Sequence, residues 1–437
     1  MERPSNRFLQ VSIFKSEFVK HSFLLFLGSG IAQLLSVAFY PVFSRMYSPE
    51  QFGIFALFTS ITSVMAILSS GFYEQAILLP KKDSHAWSLA LLAFTITLVQ
   101  CLVFFFLALF FRHFIAQRLF SNPQISSFLL LVPVSVLLVN LYAIFTGYAN
   151  RKKFYVYIFQ CSINQGIGVN ISKLVFGLIN YFNSGLVLGR LTGQLTSTIQ
   201  VICQVSKKAA FTTHEFKLAY RNLKEVARTY KNFPIFRMPL SLMNTFSTVL
   251  PIFVLTKYFS AHDAGQYSLA AGVLLTPVML LAGSVSKVLN QKIIERINQQ
   301  AAVYDSIIRL IRLIMPVTAI LFILFFFVSE DVFVFLFGQE WQEAGKISGI
   351  LLPWIFLMLF ASPISFVLDI FFKQRKALII EVVYLVLRII AMAVGTYYNN
   401  MFLAIKLFVF SGCIVLTYNF IWYLSLLKNY DINRKSI

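Results

Sequence analysis

The sequence predicts an all-α integral membrane protein, with twelve transmembrane helices in two six-helix bundles related by an internal repeat. Three observations carry this. The 437-residue chain is 58% hydrophobic and only 12% charged, against about 25% charged residues in an ordinary soluble protein, and its mean hydropathy is +0.76. Apolar runs of roughly 20 residues recur along its whole length, each long enough to cross a bilayer as a helix. They are continuous and do not alternate as barrel strands do. Finally, one junction is written twice. "RMYSPEQFGIF", Arg45 to Phe55, and "KYFSAHDAGQY", Lys257 to Tyr267, share one register at an offset of 212 residues. Each opens on a basic residue and continues with an aromatic, Ser, an acidic or amide residue, Gly and a second aromatic.

In the first half the predicted spans are 21–43, 54–79, 87–111, 125–149, 155–179 and 184–206. The first carries a polar stripe. The second meets Gly71 just before Glu74, where its helix is open to a break. The third and fourth are plain apolar runs. The fifth, with "SINQGIGVNISK", is the least apolar. The sixth bears Gly185, Gly189 and Gly193, a small-residue row that reads as helix packing. In the second half the spans are 234–257, 266–289, 306–328, 346–372, 377–398 and 402–427. Between the halves, Lys207 to Phe233 reads as an amphipathic helix on the membrane surface, with Phe216, Ala219, Tyr220, Leu223 and Ala227 along one side. The expected units are therefore an N-terminal bundle (1–206), a linker (207–233) and a C-terminal bundle (234–437).

Placing the N-terminus in the cytoplasm leaves only Arg45, Arg112, Arg118, Lys257 and Lys346 among the outer basic residues. The inner segments hold most of the rest, as the positive-inside rule requires. Both termini are then cytoplasmic. The net charge of +20 follows from topology and anionic inner-leaflet lipid, so nucleic acid is not an expected partner. No cleaved signal peptide is expected, because the first apolar run is too long and no A-x-A site follows. Cys101, Cys161, Cys203 and Cys413 fall inside spans and read as core residues; no metal-ligand spacing appears, and no metal or other cofactor is expected. The sequence holds no P-loop, which argues against ATP as the direct driver.

Shifting the first half by 212 places Ser29 on Ser241, Gln33 on Thr245 and Ser36 on Thr248. In each helix the three positions share a face. Six spans return the chain to its starting side, so the halves are parallel repeats. The two stripes are expected to form facing walls of a central cavity, against the plainer reading of hydrogen bonds between packed helices. Charged residues in the spans are costly unless they face partners or water. The cations are Lys173, Arg190, Arg237, Arg388 and Lys406; the acids are Glu74, Asp369 and Glu381. Lys173, Arg190 and Arg388 lie deep and read as cavity lining. Arg237 and Asp369 near the inner interface, and Lys406 near the outer one, are also placed to snorkel. Glu381 is two turns from Arg388, too far for an easy pair. The excess of cations suits an anionic cargo.

The paired "SPEQFGIF" and "SAHDAGQYSLA" junctions, "GFYEQAILLP", "YKNFPIFRMPLSLMN" and "LFGQEWQEAG" resemble, in order and placement, the Wzx-type polysaccharide-biosynthesis and O-antigen flippases. These belong to the multidrug/oligosaccharidyl-lipid/polysaccharide (MOP) exporter superfamily. The resemblance covers nearly the whole chain. It implies a V-shaped, two-bundle transporter with no covalent chemistry, in the bacterial inner membrane. Such a protein moves undecaprenyl-diphosphate-linked oligosaccharide, an O-antigen or capsule unit, from the cytoplasmic to the periplasmic leaflet by alternating access. Implied partners are that lipid-linked oligosaccharide, membrane lipid, a polysaccharide polymerase and a chain-length regulator. Lys173, Arg190, Arg237 and Arg388 would then bind the diphosphate. Ser29, Gln33, Ser36, Ser241, Thr245 and Thr248 would line the cavity. Glu74, Asp369 or Glu381 would couple transport to an ion. The rivals are a multidrug exporter of the same superfamily, which would need an acidic cavity, and a membrane-bound polymerase or glycosyltransferase, which would need a large outer loop.

Overall fold

The computed structural model describes residues 17–179, 184–209 and 219–435. Among them there is no strand. Thirteen principal helices make up the fold: α1 Glu17–Ala38, α2 Tyr40–Met46, α3 Pro49–Ser70, α4 Asp83–Phe114, α5 Val132–Arg151, α6 Tyr155–Leu178, α7 Gly185–Ala209, α8 Met238–Tyr258, α9 Ala261–Asn298, α10 Tyr304–Phe337, α11 Gln342–Ala361, α12 Gln374–Tyr397 and α13 Met401–Lys435. Ten segments are long and apolar enough to cross a membrane. The more polar α6 and α7 have 24 and 25 residues, enough to span about 30 Å of hydrocarbon at 1.5 Å per residue. With α1 and α2 taken as one span, these segments match the twelve predicted.

Local chemistry moves several predicted boundaries. Span one divides at Phe39 into α1 and α2, since Pro41 sits in the first turn of α2 and has no N–H to continue the ladder. Span two starts earlier than expected. Ser48 closes a capping box with Gln51, and Pro49 occupies the first turn of α3. That span also stops earlier, at Ser70: Gly71 (φ 59°) and Phe72 (φ 64°) are both left-handed, and the chain continues as a 3-10 turn over Tyr73–Leu78. Span ten ends at Ala361, where Pro363 enters a 3-10 turn. In the linker, residues 210–218 lie outside the described residues, Phe216 among them. Beyond them Ala219 and Val226 are buried, whereas Tyr220, expected on the same apolar side, is 69% exposed. Cys203 is exposed rather than in the core.

The polar character of α6 and α7 is absorbed by their own packing. A Cβ on Gly189 would lie 2.6 Å from the Lys173 backbone, and one on Gly193 would lie 2.4 Å from Val169. The small-residue row thus lets the two backbones run nearly in contact. Asn164 Nδ2 donates to Gln200 Oε1 at 3.1 Å, and the Cys161 thiol donates to Gln204 Oε1 at 3.3 Å. On the other side, α6 meets α1 where a Cβ on Gly166 would touch Ala32 at 2.8 Å.

The written-twice junction is where the two halves meet. α3 and α9 cross at their first turns. A Cβ on Gly53 would lie 1.8 Å from the Ala261 carbonyl oxygen, and one on Gly265 would lie 1.8 Å from the Pro49 carbonyl oxygen. Shifting either contact by 212 residues yields the other. The two glycines therefore sit on the local two-fold axis, each letting its partner helix approach to Cα–H···O range. Around them Trp341, fully buried, donates from Nε1 to the Ser44 carbonyl at 3.0 Å and stacks edge-on against Phe52 at 4.9 Å. Phe43, Tyr47, Phe52 and Leu186 of the first half join the core of the second. This end is called the junction end below; the opposite, where most of the Lys and Arg lie, is the basic end.

At the basic end, α13 runs on past the bundle and closes the start of α10. Both oxygens of buried Asp431 accept from Val303 N–H at 3.0 Å, and Oδ2 also accepts from Tyr304 N–H at 2.9 Å. Helix N-termini leave such donors without intrahelical partners, so Asp431 acts as a remote N-cap with the favourable charge. Asp431→Ala is expected to cost about 1–2 kcal/mol, with Asp431→Asn milder because it keeps an acceptor. Thermal melting of the purified variants checks this; an unchanged midpoint for the alanine variant would show that the cap contributes nothing.

Candidate functional site

Away from the Gly53–Gly265 crossing, α3 and α9 diverge. The space between them is a cavity of about 340 Å³, walled by α1, α2, α3, α6 and α7 of one half and α8 and α9 of the other. Its polar lining comprises Gln33, Ser36, Tyr40, Thr59, Asn170, Lys173, Thr248, Tyr267, Ser268 and Thr276. Exposure marks the open side. Tyr267 and Ala264 at the junction end are buried, whereas Gln33, Asn244 and Met279 farther along are exposed. The cavity is roofed at the junction end and open toward the basic end.

Three of the six stripe residues, Gln33, Ser36 and Thr248, line this cavity. Ser29, Ser241 and Thr245 are half-buried and are not part of its lining. Several lining hydroxyls already donate within their own helices: Ser36 to Ala32 at 3.1 Å, Thr59 to Ala56 at 2.9 Å and Thr248 to Asn244 at 3.0 Å. Their lone pairs stay available as acceptors. Asn170 Nδ2 bridges α6 to α1 by donating to Ser36 Oγ at 3.2 Å. The wall residues the stripe does not include follow the same repeat, carried past the junction: Phe55 and Tyr267 are equivalents, as are Ala56 and Ser268, and all four line the roof.

Lys173 is the cation on the cavity wall. Its Nζ lies 4.3 Å from the centre of the Phe55 ring and 5.6 Å from that of Phe43, both favourable cation–π distances. Its backbone is pinned by Tyr47, whose hydroxyl donates to the Lys173 carbonyl at 2.6 Å. Arg190 follows cavity-lining Leu186 by one turn of α7 and acts electrostatically on Lys173 across the Gly189 contact. Its Nε is buried with no hydrogen-bond partner. No carboxylate is paired with either cation among the described residues. Two neighbouring cations without a counter-charge form a site of uncompensated positive potential.

The remaining charges lie elsewhere. The expectation that Arg388 lines the cavity is corrected: it is absent from the cavity lining and 3% exposed, packed among α8, α11, α12 and α13. Nη1 donates to Ser247 Oγ at 2.8 Å and to the Ser247 carbonyl at 3.2 Å, and Nη2 donates to the Tyr384 hydroxyl. The rings of Tyr384, Phe408 and Trp354 enclose the guanidinium at 3.9, 4.3 and 5.2 Å. Arg388→Ala is expected to empty this box and strand its acceptors, lowering stability by on the order of 3 kcal/mol and with it the amount of folded protein. A variant that melts normally yet loses transport would restore Arg388 to the cargo path. Arg237 is exposed at the start of α8. Asp369 is exposed and accepts from Gln374 Nε2 at 3.2 Å. Glu381 is half-buried and makes no ion pair with Arg388. Glu74, in the 3-10 turn after Gly71, is half-buried, and its Oε2 has no hydrogen-bond partner. His262, Asp263 and Glu343, unremarked as a group in the sequence, bring ligand atoms within 4.8 Å of one another. They occupy the first turns of α9 and α11, where carboxylates are favoured and a cation is opposed by the helix dipole.

A family model described as polysaccharide biosynthesis protein matches residues 42–346. The chain belongs to this family. The match takes in both junctions, the cavity lining except Gln33, Ser36 and Tyr40, and the Lys173–Arg190 pair. A search of curated proteins gave no match. The fold is similar to that of the lipid II flippase MurJ in an inward closed conformation, with a TM-score of 0.70 and 16% identity over 95% of this chain and 90% of that one. It is also similar to an inward-facing multidrug resistance MATE transporter of the MOP superfamily, with a TM-score of 0.63 and 11% identity over 93% and 95% of the two chains. A third similar structure is a MOP superfamily transporter from Pyrococcus furiosus Vc1, described by the reverse polarity of its binding pocket, with a TM-score of 0.60 and 12% identity over 94% and 96%. At these identities the likeness establishes the fold alone, the many-helix membrane fold shared by these structures.

Proposed function

We propose that this protein flips an undecaprenyl-diphosphate-linked oligosaccharide, an O-antigen or capsule repeat unit, between the leaflets of the bacterial inner membrane. The observation that carries this reading is Lys173 on the wall of a cavity whose polar lining is otherwise hydroxyls and amides, with Arg190 beside it and no carboxylate paired with either among the described residues. A diphosphate supplies the missing negative charge and takes hydrogen bonds from ammonium and guanidinium. The sugar hydroxyls meet acceptors such as Ser36, Thr59 and Thr248. The cavity volume of about 340 Å³ is near the lower end of small-ligand pockets, roughly 300–1,000 Å³. It takes the diphosphate end, while the oligosaccharide extends into the open part. The family and the lipid II flippase fold support a lipid-linked substrate.

With the positive-inside rule the basic end is cytoplasmic, as are both termini, so the cavity here opens inward. Alternating access then requires the Gly53–Gly265 crossing to part while the basic ends close. For the coupling ion, Glu74 is favoured over exposed Asp369, because its Oε2 is buried without a partner. A polymerase and a chain-length regulator would act on the product outside. The multidrug reading needs an acidic cavity, and the cations found here weigh against it.

The test is reconstitution. Proteoliposomes should move a fluorescent short-chain polyprenyl-diphosphate oligosaccharide into the leaflet where an added glycosidase reaches it, and should leave a lipophilic cationic dye in place. Efflux of the dye without movement of the glycolipid would overturn the assignment in favour of the drug exporter.

A further inference from the structure

A second opening lies at the junction end, outside the cargo cavity. It is a crevice of about 460 Å³ between α2 of the first half and α10 of the second, lined by Pro41, Val42, Arg45, Met46, Phe335 and Leu336. Its walls are unusually bare. Phe335 is 80% exposed and Val42 41%, and on a membrane helix such exposure means contact with lipid chains. At its rim stands Arg45. The repeat gives Arg45 an equivalent, Lys257, whose ammonium is occupied 5.2 Å from the ring centre of Tyr258. Lys346, another basic residue at this end, is paired with Glu330 at 3.8 Å. Arg45 is exposed and has no ion pair, hydrogen bond or ring contact among the described residues. It lies in the last turn of α2, at the start of the repeated junction.

We propose that this crevice binds an anionic phospholipid of the leaflet at the junction end, with one acyl chain against Val42, Phe335 and Leu336 and the phosphate on Arg45. The guanidinium takes a phosphate bidentately. The lipid touches both halves where they meet, and α2 and α10 move with opposite halves. Its occupancy therefore favours the state in which the junction end is closed. The occupant is a bulk phospholipid, distinct from the cargo, so the inference does not rest on the cargo's identity.

The full-length protein in nanodiscs tests this. Thermal unfolding is followed as phosphatidylglycerol replaces phosphatidylcholine, for wild type, Arg45→Gln and Val42→Trp, the last filling the crevice while leaving Arg45 in place. Wild type is expected to gain a saturable rise in melting temperature with phosphatidylglycerol. Arg45→Gln should need about fivefold more of it, the effect of one basic residue near an anionic surface. Val42→Trp should abolish the saturable part. Wild type indifferent to phosphatidylglycerol, or all three proteins responding alike, would overturn the proposal. So would undecaprenyl phosphate producing the Arg45-dependent rise when phosphatidylglycerol does not, which would assign the crevice to the cargo.

Discussion

Leucine in place of Gly53 or Gly265 is expected to stop transport while leaving each half folded. A Cβ at either position already falls 1.8 Å from a carbonyl oxygen of the opposite helix, far inside contact distance. Backbone atoms there cannot swing aside as a side chain would, so the crossing itself must open. Overpacking of this kind costs about 1–3 kcal/mol, and one or two kcal/mol changes a two-state ratio about 5- to 30-fold. Because the strain falls on the contact between halves, it is relieved when the junction end parts. The variants should therefore populate the state open at that end. Alanine should act in the same direction, more weakly. The double variant Gly53→Leu, Gly265→Leu should be barely worse than either single one, since both open one contact and such neighbours are not additive. The measurement is labelling of Tyr267→Cys, at the cavity roof, by a membrane-impermeant thiol reagent added from outside, in a background without the four native cysteines. Labelling should rise at least severalfold in the leucine variants. Normal surface polysaccharide and unchanged labelling in Gly53→Leu would remove the crossing from the transport cycle.

This crossing also shows how far the sequence could be read. The offset of 212 residues makes Gly53 and Gly265 equivalent, and that was visible in the letters alone. That the equivalents touch one another was not, because a repeat states correspondence and leaves the position of its axis open. Span number, the break at Gly71 and the packing role of the Gly185–Gly193 row are local properties and were legible. Of the six stripe residues, Gln33, Ser36 and Thr248 line the cavity. The walls diverge beyond them, and Ser29 and Ser241 lie farther toward the basic end than Gln33 and Thr248. Arg388 is the instructive miss. Its depth in the span was read correctly, but its box is made by Ser247 of α8, Trp354 of α11 and Phe408 of α13. No pattern within α12 says which of its faces those three helices will cover. Cation excess in a span signals a buried charge, and only the neighbours decide whether protein, cavity or cargo compensates it.

For Lys173 on the cavity wall and its neighbour Arg190 the described residues supply no paired carboxylate, and their loss is expected to have the largest effect of any side chains at the site. The double variant Lys173→Ala, Arg190→Ala is expected to reduce surface polysaccharide by more than tenfold at normal protein level. Lipid-linked units should accumulate at the inner leaflet. A hydrogen bond to a charged group contributes roughly 1.5–3 kcal/mol, and about 1.4 kcal/mol is tenfold, so losing both cations well exceeds that threshold. Stability should move the other way. Removing two like charges that have no counter-ion relieves repulsion and desolvation, and the double variant should melt no lower than wild type. That opposition separates a binding role from a structural one: Arg388→Ala should lose protein, whereas this variant should keep protein and lose transport. Arg190→Lys should rescue in part, because the charge remains and the bidentate fork is lost. Charge reversal, Lys173→Glu with Arg190→Glu, should be worst of all, since it repels the diphosphate. It should also create the acidic wall that suits a lipophilic cation, so binding of such a dye is the companion measurement. Polysaccharide per unit of folded protein is the decisive readout. Near-normal polysaccharide from the well-expressed double alanine variant would show that the cargo's charge is met elsewhere, and would end the cationic-cavity mechanism while leaving the fold and the family untouched.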